Sequence, residues 1–248
     1  MADRRLCRAL TAERGTDGRF SWQSAEIIQE LNPRIAKGLN GWKCHIDPDL
    51  SNRFCEPPLE WKPAFGQQGA SQVHLQRYGI GRGDVFLFYG WFRQTECAGG
   101  KLRFVAPAKD KTSDRHIIFG YMEVGEVLTD PVRIGEEFPY HPHACENTYP
   151  HNTLYIPADV LSLDPSRKGY GILRNAPVRQ LTKEGHKRSE WEWPECFRKA
   201  DVSYHKSSSL GWQGKDQYFR AACRGQEFVI ETELTQEMKN WLRSVISE

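Results

Sequence analysis

The sequence predicts an α+β fold: a mixed, strongly curved β-sheet or small barrel over about residues 84–157, with flanking helices. Three observations carry this reading. Asp84-Val-Phe-Leu-Phe-Tyr-Gly-Trp-Phe-Arg93 is apolar and aromatic and follows the turn Gly81-Arg-Gly-Asp84, the pattern of a buried strand. The run from His116 to Leu128 reads as a long strand, and its Gly120 and Gly125 permit bulges or tight coiling. Leu234, Met238, Trp241, Leu242 and Val245 recur at helical spacing, which predicts a core-facing helix near Thr235–Ile246.

The remaining elements follow along the chain. Ser24 is placed to cap a helix that runs to Leu31, with Pro33 ending it. From Asp47 to Gly69 the prolines 48, 57, 58 and 63 predict irregular structure ordered by Phe54, Trp61 and Phe65. A short helix over Ala70–Tyr78 stops at Gly79. Gly99-Gly100 leads into a second strand at Lys101–Val105, and Thr153–Pro157 and Glu227–Glu231 are further short strands. No repeat, low-complexity tract or linker divides the chain. The expectation is one domain over residues 1–248, with 1–25 as a flexible N-terminal segment.

Composition excludes several classes. A chain of 248 residues, 39% hydrophobic and 27% charged, can build a core without metal or disulfide staples. No apolar run approaches the ~18 residues of a membrane span, and the start has no signal-like apolar region, so a cytoplasmic protein with no membrane partner is expected. Seven scattered cysteines with no CxxC pair predict reduced, mostly buried thiols. The net charge of +2 is too small for a protein that coats nucleic acid. Its distribution is uneven, however. Arg167, Lys168, Arg174, Arg179, Lys183, Lys187 and Arg188 share one stretch with the single acid Glu184, and such a stretch suits a phosphate backbone. The plain alternative is a solvated loop.

Base recognition needs flat apolar faces and a polar group for the base edge. Tyr89, Trp91 and Arg93 fall on one face of their strand, while Phe88 and Phe92 point to the other. Together with Tyr121 and Glu123 they form the candidate base site, set against the alternative that the rings are core. His141, His143 and His151 are the candidate metal ligands, with Cys145 and Glu146 nearby, but their loose spacing in a proline-rich loop predicts no metal and no cofactor. Asp47-Pro-Asp49 followed by Glu60-Trp-Lys62 matches a nuclease pattern formally, yet Pro57, Pro58 and Pro63 argue against the strand it requires. Catalysis would fall to Asp47, Asp49 and Glu227 with His74. Gln67, Gln68 and Ser71 surround the start of the short helix, whose N–H groups suit a phosphate, the alternative being a turn that caps itself. Walker A, G-x-G-x-x-G strand–helix and G-x-S-x-G sequences are absent.

Gly66–His74, Gly83–Arg93, His116–Glu126, His141-Pro-His143, Asn152–Tyr155 and Arg224–Val229, taken in order, resemble the family called nucleotide modification associated domain 3 over roughly residues 40–245. The resemblance implies a protein that accompanies DNA base-modification or restriction systems of bacteria and phages, with DNA or a nucleotide and other proteins of the system as partners. Residues 1–25 do not carry that family's opening strand and Gly/Ser-rich loop. Gly83–Tyr89 followed by Phe119–Val127 is also similar to the strand pair of PUA-like barrels such as EVE domains, which hold a flipped base. The reading that results is a nucleic-acid or nucleotide-binding protein. Its alternatives are a nucleotide-modifying or DNA-cleaving enzyme and a non-catalytic assembly partner.

Overall fold

A computed structural model describes residues 29–31, 48–51, 61–105, 114–144, 150–204, 210–213, 218–222 and 228–247. The first strands are β1 (Phe65–Gln67), β2 (Val85–Arg93), β3 (Thr95–Ala98), β4 (Lys101–Phe104) and β5 (Asp114–Leu128). They are followed by β6 (Thr153–Pro157), β7 (Val160–Leu161), β8 (Asp164–Lys168), β9 (Tyr170–Ile172) and β10 (Glu190–Trp191). The last are β11 (Asp201–Tyr204), β12 (Gly211–Gln213), β13 (Tyr218–Arg220) and β14 (Phe228–Glu231). Helices α1 (Gly69–Arg77), α2 (Pro131–Glu137) and α3 (Gln236–Ile246) complete the set of longer elements.

The main sheet is antiparallel, in the order β1-β6-β5-β2, with β9 also on β5. It is strongly curved into a half-barrel and, among the described residues, stays open rather than closing into the small barrel that was the sequence's other option. The curvature originates in β5. Its first part pairs with β2 and its last with β6, and the register shifts opposite Phe88/Tyr89 and again between Val124 and Glu126. The extra residues are Phe119, beside Gly120, and Gly125, so both glycine-marked positions lie at bulges. A Cβ on Gly125 would stand 2.8 Å from the Ala158 Cα and the Pro157 carbonyl oxygen, which only glycine avoids.

The bulged sheet buries both faces. Phe86, Phe88, Met122 and Val124 pack with Phe65, Leu75 and Tyr155 on one side. On the other, Leu87, Tyr89 and Ile118 meet Trp191, Phe219, Val245 and Trp241. The closing helix buries Met238, Leu242, Val245 and Ile246, capped by the Thr235 hydroxyl, which accepts from the Met238 N–H. Leu234 lies outside it and is 40% exposed, since Thr235 as N-cap starts the helix one residue later.

Several predicted elements lie where expected. α1 ends at Arg77, with Tyr78 as its C-cap, and Gly79 just after it, at a φ of +64°, is the left-handed stop. Residues 29–31 are helical, the described part of the helix predicted from Ser24. The proline-rich stretch before Gly69 holds one strand the sequence concealed: β1 pairs with β6, and Asp49 bridges Ala64 just ahead of it. The thiols depart from expectation, for among the described residues Cys97 is exposed and Cys196 is half-buried.

Candidate functional site

Antiparallel pairing sets Trp91 opposite His116 and Arg93 opposite Asp114, so these four side chains share one face of the β2–β5 ribbon. Arg93 grips Asp114 bidentately through Nε and Nη2, the latter at 2.8 Å. Its guanidinium also lies 5.0 Å over the Phe104 ring. The Arg93 hydrogen bonds, helped by Trp91 and Arg188, hold the Asp114 carboxyl below the usual carboxylate range. Arg188 then closes the group. Its guanidinium sits 3.7 Å over the Trp91 ring, with Nη1 3.6 Å from Asp114 Oδ2. Trp91 nevertheless remains 53% exposed.

Arg188 is placed by its backbone. The Thr182 hydroxyl accepts from the His116 N–H and donates to the Arg188 carbonyl, which also accepts from the Trp191 indole. The Leu181 N–H donates to the His116 carbonyl, so the segment is sewn onto β5 before the turn that carries Arg188. Trp91, Arg93 and Arg188 were read from the sequence as separate base and phosphate candidates, and the fold unites them. Sequence reasoning missed Asp114, the anion between the two arginines. A strand-initial acid before a buried run gave no other signal.

Beneath this patch lies His116, fully buried. Its Nδ1 accepts from the Trp191 Nε1–H at 3.0 Å, which puts the ring proton on Nε2. Burial, with Arg188 nearby, pushes its pKa down to about 4, so the ring is neutral at pH 7. Tyr89, two residues before Trp91, stacks edge-on against both His116 and Trp191.

A cavity of about 440 Å³ adjoins Tyr89, walled by β2 from Val85 to Tyr89, by Phe228–Ile230 of β14 and by Trp191, Trp193 and Trp241. That size falls within the roughly 300–1,000 Å³ of small-molecule sites. Among the described residues β2 pairs with β5 alone. The Trp193 Nε1–H, on one of the lining rings, is buried without a hydrogen-bond partner among the described residues. The same is true of His116 Nε2. Each such donor costs about 1–3 kcal/mol while unmet.

Other candidates have structural duties. Tyr121 is 4% exposed, with its hydroxyl donating to the Lys168 carbonyl and burial raising its pKa. Glu123, also 4% exposed, accepts from the Ser162 N–H at 2.6 Å and from its hydroxyl, pinning the β7–β8 hairpin to the sheet. Neither lies beside the Trp91 group. The basic stretch does not form one track either. Arg179 is 3% exposed and donates to the carbonyls of Val245, Arg174 and Ser247, so it clamps the C-terminal end of α3. Arg167 pairs with Asp164 and reaches Tyr121, and Lys168 leans over Tyr170, both toward the end of the β2–β5 pairing away from Arg188. Arg174 and Lys187 are exposed, and Lys183 is half-buried.

Asp49 and His74 take different partners. Asp49 Oδ2 is 4.0 Å from Nε2 of the fully buried His141, while His74 Nε2 is 3.2 Å from the Ser203 hydroxyl. Asp47, Glu60 and Glu227 lie outside the described residues. His141 and His143 stand ring beside ring at 5.2 Å, with His143 Nδ1 on the Asn152 side-chain oxygen. His151 is exposed, at a φ of +62°. Among the described residues no group of three or more His, Cys, Asp or Glu is placed to hold a metal ion. The Gly69 N–H at the start of α1 donates to the Pro150 carbonyl, and the Gln68 N-cap makes no side-chain cap bond. No helix among the described residues is long and apolar enough to cross a membrane.

Fold and surface define an α+β protein on an open half-barrel sheet, carrying an aromatic and arginine patch at one end of β2. The chain belongs to the nucleotide modification associated domain 3 family, whose model matches residues 16–231. The match begins earlier than the blocks read from the sequence and stops before α3. No curated protein and no solved structure matches the chain. Membership associates the protein with nucleotide modification.

Proposed function

We propose that this chain binds nucleic acid or a nucleotide within a DNA base-modification or restriction system, with Trp91, Arg93 and Arg188 as the contact group. One observation carries the reading: a tryptophan that is 53% exposed is held on strand β2, with an arginine 3.7 Å above its ring. An exposed indole offers a stacking face for any base, and guanidinium groups beside it meet phosphate. Among the described residues, both arginines reach the carboxylate of Asp114. Tyr121, Glu123 and Arg179 drop out of the proposed site because their polar groups are already committed inside the fold.

The test is fluorescence anisotropy with labelled single-stranded and duplex oligonucleotides at low salt. The expected result is binding that weakens with salt and falls about tenfold or more in Trp91→Ala, in line with the ~1–3 kcal/mol of a base–aromatic stack. Absence of binding to every oligonucleotide and to mononucleotides would remove the reading.

A further inference from the structure

We propose that the cavity beside β2 is a pocket for a single nucleobase, entered by the base alone while the sugar–phosphate part stays on the Trp91–Arg188 surface. This rests on the nucleotide-binding reading above and names the part of the ligand that goes inside.

Four observations converge. The volume, about 440 Å³, suits one small molecule rather than a strand or a peptide. The walls include flat rings, among them Phe86 and Phe88 from one face of β2, Tyr89 from the other, and Trp193 and Phe228. Flat walls suit a flat heterocycle. The Trp193 Nε1–H is a buried donor with no acceptor among the described residues, and the carbonyls and ring nitrogens of a base are acceptors. A hydrocarbon ligand would fill the space and leave that donor unmet. Position supplies the last argument. Tyr89 lines the cavity, and Trp91 follows two residues later on the same face of the strand, roughly 7 Å along it. The proposed base pocket and the proposed phosphate surface are therefore neighbours on one strand.

The experiment titrates the intact protein with phosphate-free deoxynucleosides, the four common ones and 5-methyldeoxycytidine. Saturation-transfer NMR and calorimetry serve as readouts, beside anisotropy with an oligonucleotide. Three variants accompany the wild type: Trp193→Phe keeps the ring and removes the donor, Ile230→Trp fills the cavity, and Arg188→Ala strips the surface. Melting curves establish that each is folded. The expected result is that at least one deoxynucleoside binds. Trp193→Phe then weakens it about tenfold, Ile230→Trp abolishes it, and Arg188→Ala weakens only the oligonucleotide. If oligonucleotides bind and no deoxynucleoside does, the pocket is refuted and the surface reading stands. If neither binds, both fall. Deoxynucleoside binding unchanged in both Trp193→Phe and Ile230→Trp would also overturn the pocket, since the base would then sit elsewhere.

Discussion

The Arg188 guanidinium lies 3.7 Å over the indole of Trp91, although one residue sits in a turn and the other in β2, far earlier in the chain. Backbone bonds help to set the contact. Thr182 ties the Arg188 carbonyl to the His116 N–H, and His116 faces Trp91 across the β2–β5 register. A side chain anchored in this way loses little further freedom when a ligand arrives, which favours binding.

Arg188→Ala should therefore reduce affinity at a moderate cost in stability. The Arg188 side chain is 21% exposed, and a cation–π contact at such a half-buried site contributes about 1–2 kcal/mol to folding. The salt dependence of oligonucleotide binding should become shallower by about one unit in the logarithmic slope, as one phosphate contact is lost. Arg188→Lys should recover the slope but not all of the affinity, since an ammonium stacks poorly on a ring. Urea unfolding and anisotropy at several salt concentrations check both statements.

Arg179 gives the opposite pattern, although it belongs to the same basic stretch. It is buried, and its donors serve three carbonyls, two of them at the end of α3. Arg179→Ala should cost about 3 kcal/mol or more of stability, because those carbonyls lose charged donors and a buried space opens. Oligonucleotide affinity, measured where the variant is fully folded, should not change.

His116 should make the protein acid-labile. Its folded pKa is pushed down to about 4 against an ordinary value of 6.5, so between these values the unfolded chain binds the proton and the folded one does not. Stability should be full above pH 6.5, fall as the pH drops toward 4 and level off below, by an amount on the order of 3 kcal/mol. In His116→Gln this part of the pH profile should flatten. In Arg188→Ala, with a nearby cation removed, the His116 resonance should titrate at higher pH than in the wild type.

Asp114 works through the other sign. Its folded pKa lies below the ordinary 3.8, chiefly through the Arg93 hydrogen bonds, so its contribution is complete above that value and disappears as pH falls through the depressed one. Asp114→Asn should be less stable than wild type at pH 7 and equal to it in strong acid. At low salt the variant should bind oligonucleotides more tightly, because Arg93 and Arg188 lose their shared counter-charge.

Much of the central sheet was legible because its signals are local. Aromatic strands, two bulge glycines and a helical repeat of apolar residues all report directly on backbone form, and β2, β5, β6, β14 and α3 lie where they predict. The small strands β7–β13 gave no such signal, being two to five residues long, too short for an alternating pattern to show. The same reason limited the site. Trp91 and Arg93 were visible as residues sharing a face, whereas the companionship of Asp114 and Arg188 depends on tertiary pairing. Tyr121 and Glu123 looked alike in sequence to residues at a site, and only their bonds to Lys168 and Ser162 reveal them as internal fastenings.

The helix that ends the described chain lies beyond the stretch shared with the family, yet it supplies Met238, Leu242, Val245 and Ile246 to the interior. Val245 packs against the same group as Trp191 and Phe219, and Ile246 against Tyr121. A chain cut at residue 231, where the family match stops, would lay bare the apolar underside of the curved sheet and leave Arg179 without two of its carbonyls. Such a fragment should aggregate on expression and regain solubility when residues 232–248 are supplied as a separate peptide. The boundary of kinship and the boundary of foldability are thus different places on this molecule, and the second falls later.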